Sequence, residues 1–163
     1  MSIDGFVLPL LSAPLFASLD PRKLKSIALI AQKVVFDDGV DLIRDGEAGD
    51  AAYVIAAGNV AVRSPDIEGD VEIRLGPGTI VGELAMFVDM VHETSVTAIG
   101  EVHALRIERA SLLQLMAEDT NLSAAFVEVM RQRLEALATR LKEADELLDL
   151  DVVELAHPAA SHH

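Results

Sequence analysis

Between residues 34 and 107 the chain repeats a pattern that few architectures satisfy: short β-rich runs, most of them closed by a glycine-bearing turn. The runs fall at 34–36, 40–43, 53–55, 60–62, 71–75, 95–98 and 102–107. The turns between them carry Asp38-Gly39, Asp45-Gly46, Gly49-Asp50, Gly58-Asn59, Glu68-Gly69 and Gly76-Pro77-Gly78. Seven short strands punctuated at this interval predict an antiparallel sandwich or barrel rather than a parallel α/β sheet. Gly58-Asn59, flanked by two alternating runs, predicts a tight hairpin. The centre of the protein is expected to be all-β.

One stretch inside this region departs from the period of two. Gly82-Glu83-Leu84-Ala85-Met86-Phe87 is neither alternating nor turn-like and is expected to form one helical turn. Such a turn presents unpaired backbone N–H groups at its start, which suit a phosphate or a carboxylate. The alternative is a packing excursion of the chain.

Helical patterns flank the β region. Phe6, Leu8, Leu10 and Leu11 form an apolar start that Pro14 interrupts, and Leu15, Phe16 and Leu19 follow. Asp20-Pro21 then reads as an N-cap and a first helical residue, ahead of an apolar face at Leu24, Ile27, Ala28 and Ile30. After Glu108, a short helix is expected from Arg109 to Glu118 and a long one from about Leu122 to Leu150. In the long helix Val127, Met130, Leu134, Leu137, Leu141, Ala144 and Leu148 fall alternately three and four residues apart. That spacing predicts the a/d seam of a dimeric coiled coil, with Arg131, Arg133, Arg140 and Asp145 flanking it to set partner choice. The competing expectation is that the same stripe packs on the chain's own β region. The boundaries expected are therefore helices at 1–32, a β-roll at 33–108, helices at 109–150 and a frayed tail at 151–163, all within one domain. The fold class is mainly β with flanking helices (α+β).

Composition narrows the function. Thirteen basic against twenty-seven acidic residues leave a formal charge of −14 and a pI near 4.6. This balance opposes a nucleic-acid backbone, whose affinity rests on Lys and Arg neutralising phosphates, and equally an anionic membrane surface. Cysteine is absent, which removes disulfides, thiolate nucleophiles and Cys-based zinc sites. No apolar run approaches the roughly 20 residues needed to cross a bilayer. A cytoplasmic protein is expected. Nucleophile elbow, HExxH and Walker patterns are all missing, so an enzyme is not expected. The acidic cluster Asp37, Asp38, Asp41, Asp45 and Asp50 lacks calcium-loop spacing, and His92 with Glu93 has no third ligand at metal spacing.

Taken together, the order of elements and particular residues resemble a known family. The matching residues are Leu15-Phe16 with Leu19, Gly39, Ile43 with Gly46, Tyr53-Val54-Ile55 and Gly58-Asn59-Val60. Gly76-Pro77-Gly78 then leads into Val81-Gly82-Glu83-Leu84-Ala85-Met86, and Leu105-Arg106-Ile107-Glu108-Arg109 closes the region. Over roughly residues 15–148 the chain resembles the cyclic nucleotide-binding domain, an antiparallel double-stranded β-helix or jelly-roll β-roll with N-terminal helices and a long C-terminal helix. The resemblance implies that the turn at Gly82 is a phosphate-binding cassette. Gly82, Leu84 and Ala85 would offer backbone N–H groups to a cyclic phosphate, and Glu83 would accept from the ribose 2′-hydroxyl. The cassette arginine that clamps the phosphate falls on His92, within Val91-His92-Glu93-Thr94-Ser95-Val96. A neutral imidazole offers one donor where guanidinium offers a permanent charge and a planar fork, and Glu93 adds a repelling charge. Thr94 and Ser95 keep hydroxyls that can bond an equatorial oxygen or a base edge.

The resemblance implies a regulatory role with cAMP or cGMP as the ligand and no other cofactor. Relatives that read DNA continue into a helix-turn-helix after the long helix. The few residues following Leu150 do not supply one, so a homodimer acting on an unidentified partner protein is expected. The alternative is a degenerate domain that has lost the nucleotide and serves as a constitutive dimeric interaction module. A receptor for a different anion or nucleotide is a third expectation.

Overall fold

The computed structural model describes residues 9–10, 13–17, 19–64 and 72–161, with side chains described as far as Leu147 apart from Pro14 and Arg133. Phe6, Leu8 and Leu11 of the expected apolar start and Val71 of the expected fifth strand lie outside the described residues. So does the side chain of Leu148, the last of the expected seam. The chain divides into two compact units, Met1–Ser123 and Ala124–His163.

Residues 9–10 are helical, a bend at Ala13 follows, and α1 (Pro14–Ala17) and α2 (Pro21–Ile30) come next. Pro14 thus ends the apolar start and opens α1, where a first-turn proline sacrifices no intrahelical N–H bond. Asp20 caps α2 as expected: its carboxylate accepts from the Arg22 N–H at 2.8 Å, Pro21 follows, and Leu24, Ile27 and Ala28 are buried. The strands are β1 (Gln32–Phe36), β2 (Asp41–Ile43), β3 (Ala48–Gly49), β4 (Ala51–Arg63), β5 (Glu72–Leu75), β6 (Ile80–Val81), β7 (Met90–Val91) and β8 (Ser95–Glu108). A 3₁₀ turn, Glu83–Met86, sits between β6 and β7. All pairings are antiparallel. One sheet runs β1-β8-β4-β5, with β2 also on β8 and β6 also on β4, and β3 pairs with β7 alone.

The expected hairpin at Gly58-Asn59 is not formed. Residues 53–55 and 60–62 belong to one continuous strand, β4, which pairs along β8 on both sides of an irregularity at Ala57. Gly58 adopts φ +90°, and a Cβ there would lie 2.4 Å from the Glu101 carbonyl oxygen. The glycine therefore buys a bulge and a close strand approach, not a reversal. Residues 95–98 and 102–107 likewise merge into β8. The long strands carry the core: Ile55 and Val60 of β4 and Val96, Ala98, Val102 and Ala104 of β8 pack with Leu42, Ile43 and Val81. β4 buries adjacent pairs at 51–52, 54–55 and 60–61 rather than alternating strictly. Phe36 and Tyr53 meet edge to face, with ring centroids 5.6 Å apart, beside this core.

After β8 come α3 (Arg109–Glu118), with the expected bounds, and α4 (Thr120–Ser161). Asp119 caps the start of α4, accepting from the Leu122 N–H at 3.1 Å, and also pairs with Lys23 of α2 at 2.6 Å. The expected stop at Leu150 is corrected: α4 runs on to Ser161, so most of the expected tail is helical. No glycine follows Leu150 to close it.

The second unit is the remainder of α4. Val127 and Leu134 are each 63% exposed, Leu141 62% and Leu137 50%, with Ala144 exposed and Met130 half-buried. Arg131, expected to face a partner, is engaged along its own helix with Glu128 at 2.6 Å and with Glu135.

Candidate functional site

The site is built on a backbone excursion between β6 and β8. Gly82 turns the chain with φ +71°, and a Cβ there would meet Ile43 Cδ1 at 2.9 Å and the Ala51 carbonyl at 3.2 Å. Glycine is thus required by both conformation and space. The 3₁₀ turn follows: the Ala85 N–H donates to the Gly82 carbonyl at 3.0 Å, and the Phe87 and Val88 N–H groups both donate to the Leu84 carbonyl. Ala85 and Met86 are buried beneath the turn while Leu84 is 54% exposed above it.

The chain returns through β7, whose two residues pair with β3 in the register Ala48↔Val91 and Gly49↔Met90. His92 prolongs this ladder: its N–H donates to the Glu47 carbonyl at 2.9 Å, and its carbonyl accepts from the Gly46 N–H at 2.8 Å. The Nε2–Cε1 edge of the His92 ring lies against Gly49, where an added Cβ would sit 2.7 Å from Nε2. His92 is 9% exposed.

Together these segments enclose a cleft of about 250 Å³ lined by Ile43, Gly82, Glu83, Leu84, Met90, His92, Glu93 and Thr94. Six of the eight predicted ligand residues line it, from two segments that the β3–β7 ladder brings together. The other two do not. Ala85 is buried, with its N–H committed to Gly82, and the Ser95 hydroxyl accepts the Asp45 N–H at 3.0 Å. The charged groups of the lining are the carboxylates of Glu83 and Glu93, with no Lys or Arg among them.

Sequence reasoning missed the group that fixes this excursion from below. Arg109, the first residue of α3, donates to the carbonyls of Gly49 at 2.9 Å and Val88 at 2.8 Å, with Ala85 at 3.4 Å. Asp89 lies 3.7 Å from the same guanidinium. The clamp ties α3 to β3 and to the end of the 3₁₀ turn. Its hydrogen bonds go to main-chain carbonyls, which carry no residue signature, so only a basic residue at the strand–helix junction hints at the clamp.

The described unit is thus an antiparallel roll interrupted by a glycine-led turn beside a small, mainly apolar cleft with two carboxylates in its lining. The family model described as the cyclic nucleotide-binding domain matches residues 33–119, more than half of the chain, and the chain belongs to that family. It is 29% identical over 133 residues to the CRP-like cAMP-activated global transcriptional regulator of Mycobacterium tuberculosis (strain CDC 1551 / Oshkosh), a match covering 80% of this chain and 59% of the regulator. It is 31% identical over 96 residues to the cAMP-dependent protein kinase regulatory subunit of Dictyostelium discoideum, covering 56% of this chain and 29% of the subunit. The chain thus spans about three fifths or less of the length of these relatives. Among solved structures, the N-terminal domain of a transcriptional regulator from Streptomyces coelicolor A3(2) superposes with a TM-score of 0.73 at 25% identity, covering 78% of this chain and 93% of that one. A cyclic nucleotide-binding-like protein from Brucella abortus matches with a TM-score of 0.59 at 32% identity, covering 69% and 97%. No helix among the described residues is long and apolar enough to cross a membrane.

Proposed function

We propose that this chain is a dimeric regulatory domain, not a catalyst, that senses a cyclic nucleotide in the cleft between Gly82 and Thr94. The observation that carries the reading is the cleft itself, in which the turn expected to hold the sugar and phosphate meets the segment expected to clamp it. Glu83 accepts from the ribose hydroxyls, backbone N–H groups at the start of the turn meet the phosphate, and Ile43, Leu84 and Met90 provide apolar contact. At about 250 Å³ the cleft sits just below the roughly 300–1,000 Å³ usual for small-molecule sites, so it encloses part of a nucleotide and leaves the rest at its mouth. The exposed stripe Val127, Leu134, Leu137 and Leu141 on α4 supports pairing with a second copy. Ligand acts by favouring one arrangement of turn and helices over another, which changes the surface offered to a partner protein. A charge of −14 favours a protein partner over DNA.

A second reading, a constitutive interaction module without ligand, draws on the absence of a permanent cation in the lining. Isothermal titration with cAMP and cGMP at pH 6 and pH 7.5 separates the two. Micromolar binding of either ligand supports the sensor. No heat from either ligand at either pH, together with binding in a His92→Arg variant, supports the module.

A further inference from the structure

The charges beside the apolar stripe of α4 select its partner. Counted with Val127 at a, the seam sets Val127, Leu134 and Leu141 at a and Met130, Leu137 and Ala144 at d. Val127, Leu134, Leu137 and Leu141 are each at least 50% exposed, so the chain's own residues leave much of the seam uncovered. A narrow stripe of this period is covered by a second helix of the same period. Direction and partner are then set at e and g, where Arg131 and Asp145 stand at e and Arg133 and Arg140 at g. Arg131 is engaged within its own helix by Glu128 and Glu135. Arg140 and Asp145 are exposed and have no hydrogen bond or ion pair among the described residues.

A residue at g meets the e residue of the following heptad on a helix that runs parallel and in register. Arg140 and Asp145 stand in that relation, so a second copy supplies a carboxylate to Arg140 and a guanidinium to Asp145, once on each side of the seam. Antiparallel pairing sets g beside g instead. Aligned over the span from Val127 to Ala144, it brings Arg133 of one copy beside Arg140 of the other, and a shift of one heptad brings Arg140 beside its own counterpart. Both place like charges together. We infer that the partner covering this stripe is a second copy running parallel and in register, selected by reciprocal Arg140–Asp145 pairs across the interface. The inference rests on the pairing of α4 proposed above and adds its direction and the residues that specify it.

The absence of cysteine allows a clean test on the full chain. Val127→Cys is oxidised and run on a non-reducing gel, and a disulfide-linked dimer is expected, because in register the two copies of position 127 face each other. The antiparallel alignments hold them more than roughly 20 Å apart. Sedimentation equilibrium of Arg140→Asp and Asp145→Arg reads the charge pairs. Each variant alone faces like charges at both sites and is expected to raise the dimer Kd at least about tenfold, while an equimolar mixture of the two restores opposite charges and returns the Kd to within about threefold of wild type. A dimer whose Val127→Cys form stays unlinked, or a mixture as weak as either variant alone, overturns the inference and leaves the pairing of α4 standing. A wild-type chain that sediments as a monomer overturns both.

Discussion

Gly49→Ala is the substitution for which the structure makes the most demanding prediction. A methyl group at position 49 would lie 2.7 Å from His92 Nε2, 2.9 Å from His92 Cε1 and 2.9 Å from Ala85 Cβ. Comfortable separations are about 3.5–4.0 Å, so the neighbours must retreat by roughly 1 Å. Ala85, fully buried in the 3₁₀ turn, does not retreat easily, and the His92 ring can yield only by rotating from its place in the cleft wall. Overpacking of this kind costs about 1–3 kcal/mol, or a fall in Tm of about 2–12 °C for a chain of this length. The sharper statement concerns coupling. Two of the three close contacts are to the imidazole, so removing it with His92→Ala makes room for the new methyl, which in turn fills part of the space the ring leaves. The double variant Gly49→Ala, His92→Ala is expected to be more stable than the sum of the single losses by about 1 kcal/mol. Thermal unfolding by circular dichroism of the four proteins measures this. Additive losses, or a Gly49→Ala variant as stable as wild type, would falsify the placement of the ring against Gly49 and with it the inner wall of the cleft.

Other expectations follow from the same geometry. Arg109→Met removes two short charge-assisted bonds to carbonyls; at about 1.5–3 kcal/mol each, discounted for a side chain 23% exposed, urea unfolding should show a loss of about 2–4 kcal/mol, with Arg109→Lys recovering only part. The Lys23 ammonium and the Leu122 N–H hold the Asp119 carboxyl below its usual range. Its contribution is therefore present above about pH 4 and is lost as pH falls through its lower folded value, so Asp119→Asn should flatten the decline in urea midpoint between about pH 4 and pH 2. Leu137→Asp changes a position that is 50% exposed, so light scattering should show a monomer with unchanged far-ultraviolet dichroism if α4 pairs with a second copy. A variant that keeps the wild-type mass would place the contact elsewhere.

Local chemistry made much of this protein legible in advance. Asp20 and Pro21 define the start of α2, because a capping carboxylate and a proline at the first helical position act within a few residues of chain. The β-rich runs, the helical turn at Gly82 and the bounds of α3 were read from periods and punctuation that operate over similarly short distances. The hairpin at Gly58 failed for the converse reason: a glycine at positive φ serves a reversal and a bulge equally, and the Glu101 carbonyl from a distant strand decides between them. The cleft was legible as a list of residues but not as a place. Only the β3–β7 ladder brings His92 to Gly82, and only packing determines that Ala85 turns inward and that the Ser95 hydroxyl is spent on Asp45. Arg109 was invisible because its hydrogen bonds go to main-chain carbonyls that any residue could supply. Periodicity and capping are properties of neighbours in sequence, so the sequence alone determined the kind of each element. Which groups face the ligand, and with what charge, depends on contacts between residues dozens of positions apart, and tertiary structure alone decided that.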